Sequence, residues 1–244
     1  MEMLYYLNNN NINICEQDFK NSRNNIEDSS INQMKLIAEI QKKIMGNNLN
    51  FIPRINSSIG KEIESKKVYL RKNIKYITDI KNKSSTNYFE SYIVDEGENI
   101  INIARGAIDK LVVDDYLSLI RRSMERYEVT LGRSDEGSLR RKDNGIIIRT
   151  TRYMSYNMIE NDCYSYIRRM KRRYDFNSID DVIKEYILEA NLSGTSYAYI
   201  KLLSEYPIES IKTLLKIKDV KDRMTEEQWI EQINISKKID GLLF

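Results

Sequence analysis

Between Val129 and Arg152 the chain reads VTLGRSDEGSLRRKDNGIIIRTTR, and this stretch carries most of what the sequence says about chemistry. Asp135 and Glu136 are loop acids that could take a proton from a hydroxyl or ligate a hard cation. Arg133 and Arg149 can do neither, because a guanidinium stays protonated at any physiological pH. A unit positive charge ~4 Å from a divalent ion costs on the order of 8 kcal/mol at an effective dielectric of ~20 before screening. Ser138 offers a hydroxyl. The chain has no histidine, which removes the commonest general base and the commonest metal ligand. Cys15 and Cys163 lie far apart, outside any metal-type spacing. They read as a loop thiol and a small core residue, as expected for a reducing compartment.

Two basic runs flank these positions, Arg140-Arg141-Lys142 and Ile167-Arg168-Arg169-Met170-Lys171-Arg172-Arg173. Together with Arg121, Arg122, Arg133, Arg149 and Arg152 they could form a face for an anion or an acidic partner. The other reading is a solvated helix face whose arginine stems cover Met170 and Ile167. The whole chain is nearly balanced, with 39 basic and 36 acidic residues among 244. Electrostatics alone therefore give no reason to expect nucleic acid, and no motif for it appears. Hydrophobic content of 41% and a mean hydropathy of −0.56 fit a globular fold with a real core. No run is apolar enough to span a bilayer, and the start, MEMLYYLNNNN, is too short and polar for a signal peptide. Richness in Asn, Ile, Lys and Tyr points to an AT-rich bacterial source.

The elements that must position the loop are mostly helices, since only two prolines and nine glycines interrupt the chain. Residues 8–25 are Asn-rich and read as a loop or linker. A helix from about Ser30 to Met45 turns Met34, Ile37, Ala38, Gln41 and Ile44 to one face, with Ser30 and Gln33 at capping-box spacing and Gly46 as its stop. Residues 47–59 are a loop with Pro53. Further helices cover about 61–81, 88–110 and Asp114 to Arg126; the second turns Ile100, Ile103, Ala104, Ala107 and Leu111 inward. A strand at Glu128–Leu131 and a second at Ile146–Ile148, after an Asp143-Asn144-Gly145 turn, form a small central hairpin. Helices then follow at 157–173, from Ser178, at 195–205, after Pro207 and from Thr225, whose side chain and that of Gln228 form a capping box. The 17 tyrosines, dense in the C-terminal half, read as core packing, with exposed ones suited to protein contact.

The order of these elements resembles the C-terminal lobe of the aminoglycoside-phosphotransferase and choline-kinase group, a protein-kinase-like fold, and more narrowly the bacterial CotS-type spore-coat proteins. Met3–Leu7 resembles the hinge strand between the lobes. Leu36–Gly46 resembles the family helix L-A-x-F-H-K-x-x-x-G, with Gln41 in place of His. Leu131-Gly132-Arg133 followed by Ser138-Leu139 has the spacing of H-G-D-x-x-x-x-N-I, and Ile147–Thr151 that of the strand leading to D-F-D. Asp162 with Tyr164–Arg169 resembles the Y-D-L-x-x-x-x-R-R helix start. Ser204–Pro207 and Thr225–Trp229 resemble the late Y-P turn and the last helix.

What the resemblance implies is a mainly helical chain with one small central hairpin: a hinge-like strand and linker over 1–25 and a kinase-like C-terminal lobe over 26–244. The small lobe, with its glycine-rich loop and ATP-anchoring lysine, would be missing. The base position would be Arg133, the metal positions Ser138 and Arg149, and Leu131 would stand for the family His. With those four positions degenerate, the expected protein is a pseudokinase with no cofactor and no metal. It would be made in the mother-cell cytoplasm and assembled into the spore coat among other coat proteins, with no membrane. Leu4, Tyr5, Tyr6 and Leu7, uncovered by the missing lobe, would form an exposed apolar surface for a separate small lobe or a second copy. Arg168, Arg169, Arg172 and Arg173 would add a basic one. The alternatives are a small-molecule kinase completed by a separate N-terminal lobe, and an arginine-rich helical module for anions or nucleic acid. If the hairpin assignment holds, Arg133 and Arg149 converge at one cleft; if they lie far apart, it fails.

Overall fold

The computed structural model describes residues 2–15, 26–45, 54–142, 145–174, 176 and 178–242, with no side-chain description for 2–4, 26–28 and 222. It divides the chain into two compact units. The first comprises Met1–Gly60 with Val113–Lys201, and the second Lys61–Val112 with Leu202–Phe244.

The first unit opens with helix α1 (Glu2–Asn9), where the hinge resemblance implies a strand. Met, Leu and Tyr are helix-compatible, and no β-branched residue occurs before Ile12. The helix is fixed by its inner face: Leu7 is buried, and the Tyr6 hydroxyl donates to Ile44 O at 2.6 Å. The asparagines that read as a linker are its stop. Asn11 adopts φ +57°, a left-handed conformation that Asn tolerates better than most residues. The chain reverses there into strand β1 (Ile12–Ile14).

Helix α2 (Ile26–Ile44) buries Met34, Ile37, Ala38, Gln41 and Ile44, the face expected of it. It starts before Ser30, so Ser30 is not its cap; it lies inside the helix, and its hydroxyl is 3.0 Å from that of Tyr166. Gly46 and Pro53 lie outside the described residues. Helix α5 (Val113–Glu125; the two helices before it belong to the second unit) leads into strand β2 (Val129–Thr130). Strands β3 (Leu139–Lys142), β4 (Gly145–Ile148) and β5 (Ser155–Tyr156) follow.

The strand pairing differs from the expected hairpin. Ile146–Ile148 pairs antiparallel with β3, Leu139 opposite Ile148, and parallel with β1, Ile12 opposite Ile146. Val129–Thr130 pairs instead with β5. Residues 143 and 144 lie outside the described residues; Lys142 stands opposite Gly145, so β4 pairs with the strand next to it in sequence. The segment between β2 and β3 is left as the loop. Helices α6 (Glu160–Arg173), α7 (Ile179–Glu189) and α8 (Gly194–Glu205) complete the unit, α8 crossing its boundary. Helix α6 begins later than expected because Ser155 and Tyr156 are in a strand. Its core packs Leu7, Ile12, Ile37 and Ile40 with Ile146, Ile148, Ile167, Ile183 and Tyr186, each worth about 1.5–3 kcal/mol on burial.

The second unit contains α3 (Lys61–Lys81), α4 (Tyr88–Asp109), α9 (Ile208–Val220), a short 3-10 turn (Lys221–Arg223) and α10 (Glu226–Asp240). Its core includes Leu70, Ile77, Phe89, Ile100, Leu214, Trp229 and Ile233. Ile103 faces out, contrary to its expected inward turn. The capping box expected at Thr225 and Gln228 is present.

Candidate functional site

The segment between β2 and β3, residues 131–138, is held from below by one carboxylate. Asp162, in the first turn of α6, accepts from Leu131 N at 2.8 Å and from Gly132 N at 2.9 Å. Gln41 of α2 donates from Nε2 to the same carboxylate at 2.9 Å, and its Oε1 accepts from the Tyr186 hydroxyl at 2.7 Å. All three side chains are buried. Burial pushes the Asp162 carboxyl up to about 6, against the three hydrogen bonds that favour its charged form. Asp162 therefore anchors the loop backbone and is closed off from any substrate. Gln41 is a polar residue on an otherwise apolar helix face, which was the sequence signal for it; its role as a clamp needed the partner.

A second buried cluster sits where α5 leads into the loop. Arg122 Nε and Nη2 meet the two oxygens of Glu128 at 2.9 and 3.1 Å, and Nη2 meets both oxygens of Glu160 at 2.8 Å. Arg122 Nη1 donates to Ser196 Oγ at 3.0 Å. Burial raises the Glu128 carboxyl, with Arg122 pulling the other way. Arg122 therefore belongs to a buried clamp and not to an outward cationic face. In sequence nothing distinguished it from Arg121, because burial depends on which side of α5 meets the rest of the unit.

The loop acids are both engaged. Asp135 is buried and pairs with Arg169 at 2.6 Å and Arg173 at 3.2 Å. Burial raises its carboxyl, but the Arg169 hydrogen bond and charge, helped by Ser138 and Arg173, outweigh that and hold it below the usual carboxylate range. Glu136 accepts from the Tyr166 hydroxyl at 2.7 Å and from Ser29 Oγ at 3.5 Å. Two of the four arginines expected as a basic surface, Arg169 and Arg173, thus hold the loop. Arg168 is half-buried, and Arg172 is exposed.

Of the positions that the resemblance singles out, Leu131 is buried and Arg133 is exposed, its guanidinium 4.1 Å from the centre of the Tyr153 ring. Ser138 is buried, and its carbonyl accepts from Arg149 N at 2.9 Å. The two positions implied for metal are therefore backbone neighbours. Among the described residues no group of three or more Asp, Glu, Cys or His side chains is placed to hold a metal ion. Gly132 has φ +68°, and a Cβ there would come within 2.6 Å of Tyr153 O. Gly132→Ala should cost about 1–3 kcal/mol and lower the thermal midpoint by several degrees, on the order of 2–4 °C per kcal/mol; an unchanged midpoint would show that this loop is free to move.

The expected apolar surface at the N-terminus is corrected. Tyr5 is 71% exposed, but Tyr6 and Leu7 are 5% and 0% exposed and form part of the first unit's core. A helix turns successive residues to different faces, so four consecutive residues cannot make one surface. The Leu4 side chain lies outside the described residues.

Comparisons with known proteins bear on the fold alone. No family model matches the chain, and no curated protein matches it in sequence. Among solved structures it is similar to an aminoglycoside phosphotransferase from Alicyclobacillus acidocaldarius, with a TM-score of 0.65 at 7% identity, over 87% of this chain. The match spans 63% of that protein's length. The chain has a phosphotransferase-like fold, mostly helical with a few short strands. No helix among the described residues is long and apolar enough to cross a membrane.

Proposed function

We propose that this chain is a catalytically degenerate phosphotransferase-like protein that works by surface contact. One observation carries the reading: both loop acids already have internal partners, Asp135 in Arg169 and Arg173 and Glu136 in Tyr166. Withdrawing Asp135 to serve as a base would break both of its ion pairs, with Arg169 and Arg173. The position that the resemblance gives to the base carries Arg133, which lies over Tyr153 and stays charged. Phosphoryl transfer depends on a placed base or water and on charge-neutralising metal, and in this loop the buried acid is already neutralised by Arg169 and Arg173. Its hydrogen bonds keep the loop in shape without serving a reaction.

The finer reading is a structural or interaction component of a bacterial spore coat, made in the mother-cell cytoplasm, with other coat proteins as partners. The resemblance of Leu36–Gly46, Leu131–Leu139 and Thr225–Trp229 to CotS-type proteins supports it. Two measurements test these layers separately. With millimolar Mg-ATP, the thermal midpoint should stay within about 1 °C and no phosphate transfer to small hydroxyl compounds should appear. Transfer that disappears on Asp135→Asn or Glu136→Gln would overturn the non-catalytic reading. Nucleotide binding that appears only with a second polypeptide bearing a glycine-rich loop would instead support a kinase in two pieces. A fluorescent fusion expressed during sporulation should collect at the forespore periphery; diffuse mother-cell fluorescence would remove the spore-coat role.

A further inference from the structure

Helix α5 shows two unlike apolar features. One side buries Leu119 and carries Arg122 into the clamp with Glu128 and Glu160. Beside it lies a second apolar stripe. Val113, Leu117, Met124 and Tyr127 are 65%, 48%, 60% and 50% exposed, with half-buried Ile120 between them. Their spacing alternates between four and three residues, so at 100° per residue the four that lie on α5, Val113, Leu117, Ile120 and Met124, fall within a narrow arc of the helix. That alternation is the seam of a pairing helix. A surface helix normally turns such a stripe to its own core; here the core takes the adjacent face. Tyr127 extends the stripe past the end of α5 with φ +49°, a left-handed conformation unusual for a bulky residue.

The flanking charges indicate the occupant. Asp114 and Arg121 are exposed, lie on the same edge of the stripe and are one heptad apart. When Val113 packs against Met124 of a second helix and Leu117 against its Ile120, the two helices run antiparallel. Asp114 of each then falls beside Arg121 of the other, twice by symmetry. Antiparallel pairing also sets each helix's positive end beside the other's negative end. A parallel pair would bring neither charge to its opposite.

We infer that the α5 stripe is an interface between two copies of this chain, paired antiparallel about a two-fold axis. Five side chains from each copy bury on the order of 400 Å², short of the ~800 Å² per partner of a standard stable interface. The dimer therefore falls in the weak, transient class of association. It goes beyond the non-catalytic reading and is independent of it, since none of the loop acids takes part.

Sedimentation velocity on the full chain, from about 1 μM to a few hundred μM, tests it. The expected result is a rise from monomer to dimer across that range. Leu117→Lys should weaken the dimer at least tenfold, with an unchanged circular dichroism spectrum because the site is exposed. Asp114→Arg should weaken it, and adding Arg121→Asp should recover it. A monomer at every concentration overturns the proposal, as does a dimer indifferent to Leu117→Lys. If the charge exchange fails to recover what Asp114→Arg loses, the antiparallel arrangement is wrong. A folding change in Leu117→Lys would be resolved by Met124→Glu, which alters the same stripe one heptad away and carries the same expectation.

Discussion

Arg122→Met should destabilise the first unit by about 3–5 kcal/mol at pH 7, the usual consequence of removing one partner from a buried ion cluster. That is a large share of the ~5–15 kcal/mol by which domains are normally stable. Arg122 is the shared cation of Glu128 and Glu160, and neither carboxylate reaches solvent. Without it two acids of like charge remain buried together, and at least one must take up a proton to stay there. The sign of the pH effect follows. Burial already raises the Glu128 carboxyl with Arg122 in place, and removing the cation raises it further. A carboxyl raised in the folded state favours folding at low pH and loses that advantage as pH rises through its folded value. The variant should therefore recover part of its stability between about pH 7 and pH 5. Adding Glu128→Gln and Glu160→Gln should restore most of the loss at pH 7. Urea unfolding followed by tryptophan-independent circular dichroism at both pH values is the measurement. A loss below about 1 kcal/mol would mean that water reaches the cluster.

Asp162→Ala should cost about 3–5 kcal/mol and release the 131–133 backbone. The substitution strips the partners from Leu131 N and Gly132 N, while Gln41 Nε2 keeps only Ile159 O at 3.2 Å, and an unsatisfied buried donor costs about 1–3 kcal/mol. Amide hydrogen exchange at Leu131 and Gly132 should speed up more than in β3 or α6; uniform change across the unit would assign the loss to global unfolding. Asp162 also makes a pH prediction. Its carboxyl is raised from the ordinary 3.8 to about 6 in the fold. Between those values the folded chain holds a proton that the unfolded chain has released. Its contribution is thus greatest below about pH 3.8 and declines as pH rises through about 6, by roughly 3 kcal/mol in all. Asp162→Asn should lack that slope while keeping the side-chain shape. Asp135 acts oppositely and in a different window: its carboxyl is held low, so its contribution is present above its unfolded value near 3.8 and is lost on acidification. Comparing Asp162→Asn with the parent chain between pH 4 and 7 isolates the Asp162 effect.

Both residues show where sequence reading succeeds and stops. A short motif puts Asp162 at a helix start, and it is there, but the amides that donate to it lie some 30 residues upstream in the loop. Sequence alone groups Arg122 with its neighbours as surface charge. A run of arginines carries no record of which members turn inward, because that depends on where α5 meets α6 and β2. Nor does the run say which arginines reach a partner across the fold, as Arg169 and Arg173 reach Asp135. The N-terminus failed for a local reason: apolar residues in a short run fit a strand or a helix equally, and only the Tyr6 contact with Ile44 decides.

The sequence by itself determined the helix order, most of the apolar faces and the cap at Thr225, because each rests on periodicity or on residues within one turn of each other. It also determined that the loop carries arginine at 133 and 149 and that no histidine can serve as a base. The tertiary structure decided the strand partners, the helical state of residues 2–9 and the fate of the loop acids. Those are long-range choices, made by side chains that meet only once the chain is folded. Whether Asp135 is a free carboxylate or half of an ion pair depends on α6 arriving beside it, and no spacing along the chain encodes that distance.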